Sequence, residues 1–138
     1  NVYSHDQAAA GPYATAVCNW MKAVRERINP FITGNGEQRR DMINVDDVVS
    51  ANIFAMEYEE LFDGQHFDVG TGDNISLNQI KELVLKHHSG VTFDYVNSRP
   101  GDVMLTKGDI QPLKSLGWSA SIGIEEGIED CFRRLVNE

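Results

Sequence analysis

The apolar residues of this chain switch repeatedly between two periodicities, and that alternation restricts the fold more than any other feature. Between Gly11 and Asn29-Pro30, Ala14, Val17, Cys18, Met21, Val24 and Ile28 recur at spacings of three and four, which is one face of an amphipathic helix. Pro12 stands where a first helical turn tolerates proline, and Lys22, Arg25 and Arg27 gather toward the end where the helix dipole favours cations. Phe31-Ile32-Thr33 is short and β-prone, Gly34-Asn35-Gly36 is turn chemistry, and Met42 to Val45 reads as a second strand. Asp46 is expected to cap a helix running to about Tyr58, with Val48, Val49, Ala51, Ala55 and Met56 as its buried side.

His66 to Val69 reads as another short strand, ended by Gly70-Thr71-Gly72. Ser76 with Gln79 three residues on is a capping box, and Leu77, Ile80, Leu83, Val84 and His87 supply the stripe of a third helix. Val91, Phe93 and Tyr95 alternate with Thr92, Asp94 and Val96, as in a half-buried strand. A turn at Arg99-Pro100-Gly101 precedes a short helical piece to Leu116, and the last helix sets Ile124, Ile128, Cys131, Phe132 and Leu135 on one face. The fold class is therefore α/β, a small mixed domain of alternating helices and short strands.

Composition narrows the function. With 138 residues, the chain is expected to form one domain over residues 1–138. Its 12 Lys and Arg against 21 Asp and Glu leave a formal charge of −9, which argues against a nucleic-acid partner, since phosphates would be repelled outside a local basic patch. No apolar run approaches the roughly 18 to 20 residues needed to span a bilayer, so no membrane association is expected. Only Cys18 and Cys131 are present, each inside a helical pattern, which disfavours a disulfide framework and fits a reducing, cytoplasmic location.

Chemistry must then come from the remaining polar constellations. Two glycine turns invite a dinucleotide-loop reading, but the third glycine of the fingerprint is Ile75 in one and Arg39 in the other. No cofactor site is expected in the chain. His5, His66, His87 and His88 lack the spacing of a metal set, so no metal is expected. What stands out is arginine beside glycine, in Gln38-Arg39-Arg40-Asp41 and Arg99-Pro100-Gly101-Asp102. Guanidinium forks suit a diphosphate, and an acidic protein that binds an anion must place them locally against its own field; each segment is also compatible with an ordinary surface ion pair.

At these residues the chain resembles a known family. Asn1-Val2-Tyr3, Gly11-Pro12-Tyr13-Ala14, Gly34-x-Gly36-x-Gln38-x-Arg40-Asp41, Val45-Asp46-Asp47-Val48, Phe67-x-Val69-Gly70-Thr71-Gly72, Arg99-Pro100-Gly101-Asp102, Leu116-Gly117-Trp118 and Glu125-Glu126-Gly127 occur in this order. Together they look like the C-terminal half of the NAD-dependent epimerase/dehydratase family, the extended short-chain dehydrogenases that act on nucleotide sugars, with UDP-glucose 4-epimerase-like and ADP-heptose epimerase-like branches. The resemblance implies the C-terminal subdomain of a Rossmann-type enzyme with the Rossmann half missing. That half would hold NAD on a glycine-rich loop and carry a Tyr-x-x-x-Lys catalytic pair. In this sequence the residue four after each tyrosine is Gln7, Val17, Phe62 or Arg99, so no catalytic residue is assigned. The first residue is Asn1 rather than methionine, and the chain is expected to be a fragment, a processed product or a partial reading frame.

Carried over position by position, the resemblance implies a nucleotide-diphosphate sugar as ligand. Asn1 would contact its sugar or diphosphate, Arg40 and Arg99 would clamp the diphosphate, Asp102 would accept from the ribose, and Phe31 and Thr33 would line the base pocket. The carboxylates of Val45-Asp46-Asp47-Val48 are expected to be caps, and Gly70-Thr71-Gly72 to be structural. Ser4, His5 and Asp6 depart from the family pattern, and Ala10 stands where the ADP-heptose branch has a lysine. The expected function is thus the substrate-binding portion of a sugar-nucleotide epimerase or dehydratase, inactive alone. A free-standing, non-catalytic nucleotide-sugar-binding or assembly module is the alternative, and a separately encoded Rossmann partner a third. The segment around Phe67 to Val69 resembles a strand of the missing sheet, so an unpaired edge and a homodimer or strand-exchanged oligomer are expected.

Overall fold

The computed structural model describes residues 1–7, 11 and 14–136. Strand β1 (Val2–Tyr3) leads into helix α1 (Ala16–Glu26), which starts where the Thr15 hydroxyl accepts from the Cys18 N–H at 3.3 Å. The start expected at Pro12 lies outside the described residues. Arg27 ends α1 by entering the left-handed region at φ 56°, its N–H returning to the Ala23 and Val24 carbonyls. Val17, Cys18 and Met21 are buried, as their spacing requires.

Strands β2 (Phe31–Thr33), β3 (Arg39–Arg40) and β4 (Ile43–Asn44) follow. Helix α2 (Val45–Glu57) is capped by Asn44, whose side-chain oxygen accepts from the Asp46 N–H at 2.9 Å. The cap is thus two residues before the expected Asp46, because Asn44 is the last residue in an extended conformation and Asp46 already lies in the first helical turn. The expected buried side of α2 is also corrected. Ala51 is buried and Val48 half-buried, while Val49, Ala55 and Met56 are exposed, Met56 to 84%. Val49, Ile53 and Met56 recur four and three apart and form a second apolar face, turned away from the one this chain covers.

The strand expected over residues 66–69 is absent, since no segment among the described residues makes a ladder with it. Phe67 instead packs in a small cluster with Ile43, Ala51, Leu113 and Trp118. Beyond it come β5 (Ile75–Ser76), α3 (Leu77–His87), β6 (Asp94–Val96), α4 (Gln111–Ser115) and α5 (Ile124–Leu135). The Ser76–Gln79 capping box forms in full. The half-buried strand expected over residues 91–96 is shorter: β6 starts at Asp94 and its three residues are exposed, while Phe93 packs edge-on against Trp20 at 4.8 Å.

Among the described residues the strands form three two-stranded ladders. β1 runs parallel to β4 and β2 parallel to β6, whereas β3 runs antiparallel to β5 with Arg39 opposite Ser76 and Arg40 opposite Ile75. Helices α1, α3 and α5 close the main core around Tyr3, Val17, Met21, Ile32, Ile80, Ile128 and Phe132.

Two buried carboxylates lock the loops around these ladders. Asp47, 1% exposed, accepts from the Ser121 N–H and hydroxyl and from the Ile122 N–H at 2.8–3.0 Å. Asp41 accepts from the N–H groups of Thr71, Gly72 and Gly108 and from the Thr71 hydroxyl at 2.7–3.1 Å. Asp47 therefore anchors a distant loop, a task different from the cap expected of it. Gly70-Thr71-Gly72 is structural, held by Asp41, and a Cβ at Gly70 would come within 2.8 Å of that carboxylate.

Candidate functional site

The short ladder β3–β5, the end of β2 and the N-terminal end of α1 surround one cleft, floored by Met42, Ile75 and Ile80. All six residues singled out from the sequence, Asn1, Phe31, Thr33, Arg40, Arg99 and Asp102, line it. They come from four separate stretches of chain. The cleft measures about 200 Å³, below the roughly 300–1,000 Å³ of a pocket that encloses a small-molecule ligand, so it has room for only part of one.

Arg40 is the more fully bonded of its two arginines. Its Nη2 donates to Asp102 Oδ1 at 2.6 Å and its Nη1 to the Arg39 carbonyl at 2.9 Å, with about a fifth of the side chain exposed. Arg99 follows a different rule: its carbonyl accepts from the Asp102 N–H at 3.1 Å, closing the turn that Gly101 permits at φ 78°, and its guanidinium has no ion pair among the described residues. Two guanidinium groups thus face one carboxylate across the cleft, a local excess of positive charge in a chain of net −9. The first turn of α1 carries no acidic side chain, so the positive end of its dipole adds to the same field.

The apolar side is built by Phe31 and Trp20. The indole Nε1 donates to the Phe31 carbonyl at 3.0 Å, which fixes β2 against α1 and leaves the Phe31 ring about half exposed. Asn1 is held at the opposite side, its side-chain nitrogen 3.4 Å from the Asp41 carbonyl and its own carbonyl accepting from Ile43. Ala10, at the position where one branch of the resembled family has a lysine, lies outside the described residues.

Among the lining residues given no role from the sequence, Gln38 is the buried polar one. Gln38 is 5% exposed and donates through Nε2 to the Thr33 carbonyl, the Thr33 hydroxyl and Asp102 Oδ2 at 2.8, 3.1 and 3.2 Å. The signal available was its spacing of two from Arg40 in an extended stretch, which puts both side chains on one face.

Neither glycine turn suits a dinucleotide. The Thr71 and Gly72 N–H groups, which a pyrophosphate would need, are already bound to Asp41, and the Gly34 N–H donates to the Val96 carbonyl at 2.8 Å. Among the described residues, no group of three or more His, Cys, Asp or Glu is arranged to hold a metal ion, and no helix is long and apolar enough to cross a membrane.

The family model for GDP-mannose 4,6 dehydratase matches residues 1–131. The dTDP-L-rhamnose 4-epimerase of Burkholderia thailandensis is 30% identical over 100% of this chain and 38% of its own length. Among solved structures, the UDP-glucose 4-epimerase of Thermotoga maritima with UDP-glucose superposes with a TM-score of 0.85 at 32% identity, over 100% of this chain and 45% of that one. The UDP-N-acetylglucosamine 4-epimerase of Methanobrevibacter ruminantium, in complex with UDP-N-acetylmuramic acid, gives 0.83 at 27% identity, over 99% and 43%. The chain spans less than half the length of each of these relatives. It belongs to the NAD-dependent nucleotide-sugar epimerase/dehydratase family and corresponds to the C-terminal part of its members.

Proposed function

We propose that this chain is the nucleotide-sugar-binding portion of a sugar-nucleotide epimerase or dehydratase, and that its cleft holds the nucleoside diphosphate end of the substrate. The observation that carries this is the convergence of Arg40 and Arg99 on one cleft of an otherwise acidic chain. The two guanidinium groups clamp the diphosphate, Asp102 accepts from the ribose, Phe31 and Thr33 line the base, and Asn1 meets the sugar or diphosphate. The chain's contribution to catalysis is orientation, since fixing the diphosphate and base fixes where the sugar's reacting carbon lies.

The chain is inactive alone, with NAD and the catalytic pair supplied by a second, Rossmann-type half. Two features support such a partner: the exposed apolar face of Val49, Ile53 and Met56, and the segment 66–69, whose backbone joins no ladder among the described residues. The same surfaces would drive self-association of the isolated chain into a homodimer or strand-exchanged oligomer. Its two buried, free thiols fit a cytoplasmic location.

Titration calorimetry tests the assignment with UDP, GDP, CDP and dTDP, then NAD, followed by an epimerisation assay on the corresponding sugar nucleotides. Binding of at least one diphosphate, with neither NAD binding nor turnover, is the expected result. Turnover by the isolated chain, or no binding of any of the four, would overturn it.

A further inference from the structure

The amide of Gln38 is a buried polar group that the proposed ligand contacts leave unused. It sits between two elements that assemble the cleft from different parts of the chain: Thr33 at the end of β2 and Asp102 in the turn after β6. The Thr33 carbonyl and the Asp102 carboxylate can only accept, so the end of Gln38 that faces them must be its NH2 group. The Asp102 carboxylate is thereby held from both sides, Oδ1 by Arg40 at 2.6 Å and Oδ2 by Gln38 at 3.2 Å. Among the described residues, no other side chain donates to Oδ2.

We propose that Gln38 is a positioning residue for nucleoside diphosphate binding, fixing the Asp102 carboxylate relative to Thr33 and Arg40. This rests on the assignment of the cleft to a nucleoside diphosphate. Burying an amide at 5% exposure is worthwhile only if its donors are satisfied, and here both are spent on the two elements flanking the ligand. Without that NH2 group the carboxylate turns about its one remaining contact with Arg40. The acceptor for a ribose hydroxyl and the direction of the Arg40 guanidinium then both become ill-defined.

Two substitutions separate this role from mere packing. Gln38→Glu keeps the shape but places a second carboxylate beside Asp102; the nearby charged groups are Arg40 and Arg99. Two carboxylates so close share a proton at low pH, and the protonated one can donate again. Gln38→Met keeps the volume and donates at no pH. The readouts are affinity for UDP, GDP, CDP and dTDP, and the melting temperature without ligand, each compared with the unaltered chain at about pH 7.5 and about pH 5.5.

Both variants are expected to bind about tenfold more weakly or worse at the higher pH. At the lower pH Gln38→Glu recovers most of the loss, in affinity and in melting temperature, while Gln38→Met recovers neither. A Gln38→Glu variant whose affinity and melting temperature track the unaltered chain at both pH values would overturn the proposal. If the unaltered chain binds none of the four diphosphates while the melting difference still closes at low pH, the ligand assignment fails and the Gln38–Asp102 link stands. If the melting difference ignores pH, the link itself fails, whatever the unaltered chain binds.

Discussion

Truncating Arg40 separates a ligand clamp from a surface ion pair. An arginine carries five N–H donors, and Arg40 has two committed, one to Asp102 and one to the Arg39 carbonyl, which leaves three for a ligand. Arg40→Ala removes those and also strips Asp102 of its cation, leaving an uncompensated carboxylate on a cleft meant for an anion. A charge-assisted hydrogen bond contributes about 1.5–3 kcal/mol, so the loss from the donors alone is about 10- to 150-fold in affinity. The exposed carboxylate adds to it. Asp102→Asn in the same background should return that second part, making the pair of changes less damaging than the sum of the single ones. The assay is titration calorimetry with the tightest-binding nucleoside diphosphate, after circular dichroism has shown all three variants folded. An Arg40→Ala chain with unchanged affinity would refute the clamp and return Arg40 to the role of an ion pair, worth at most about 1 kcal/mol of stability.

Other consequences concern the frame around the cleft. Asp47→Asn should destabilise the chain by about 2–4 kcal/mol in urea denaturation, because an amide cannot accept at both ends and leaves a donor of Ser121 or Ile122 buried without a partner. Gly127→Ala, which in an exposed helix would stabilise by up to about 1 kcal/mol, should here destabilise by about 1–3 kcal/mol in the same assay, since its Cβ would sit 2.0 Å from the Tyr3 hydroxyl. The Cys131 thiol is pushed up to about 12, chiefly by desolvation and further by the neighbouring Asp130 charge. It should therefore resist a disulfide reagent at pH 8 until the chain is unfolded. The sign of the linked stability follows: the unfolded thiol ionises first, so this contribution is intact below the ordinary thiol value of 9.0 and is lost as pH rises toward 12, which denaturation midpoints across that range would reveal.

What the sequence discloses here follows the distance over which each feature acts. The Ser76–Gln79 capping box, the stripe of α5 and the Arg99-Pro100-Gly101 turn are set by neighbours a few residues away, and all three form as expected. The buried side of α2 does not follow from spacing, because this helix is apolar on two sides and periodicity cannot say which one the same chain covers. Asp41 and Asp47 take partners 30 to 75 residues away, so their use as loop anchors has no local signature; an aspartate near a helix start looks like a cap. Resemblance nominated the six cleft residues and includes Gln38 in the same motif, but assigns it no role, since an uncharged amide suggests no chemistry until its partners are known.

The cleft and α2 are unfinished in the same sense. At about 200 Å³ the cleft offers charge and shape to one end of a ligand but cannot enclose it, and water retains access to Arg99. A guanidinium–diphosphate contact made in open water is screened and weak, and it gains strength as the surroundings are dried. Covering the face of Val49, Ile53 and Met56 with a second α/β body would remove apolar surface from water. Under the proposed function, affinity for the nucleotide sugar and association of the two halves are then linked: a ligand that bridges both bodies stabilises their contact, and the contact strengthens the ligand's hold by the same factor. That coupling gives a physical reason for an acidic domain to keep a small positive cleft that binds a diphosphate by itself and binds it more tightly once the second half is in place.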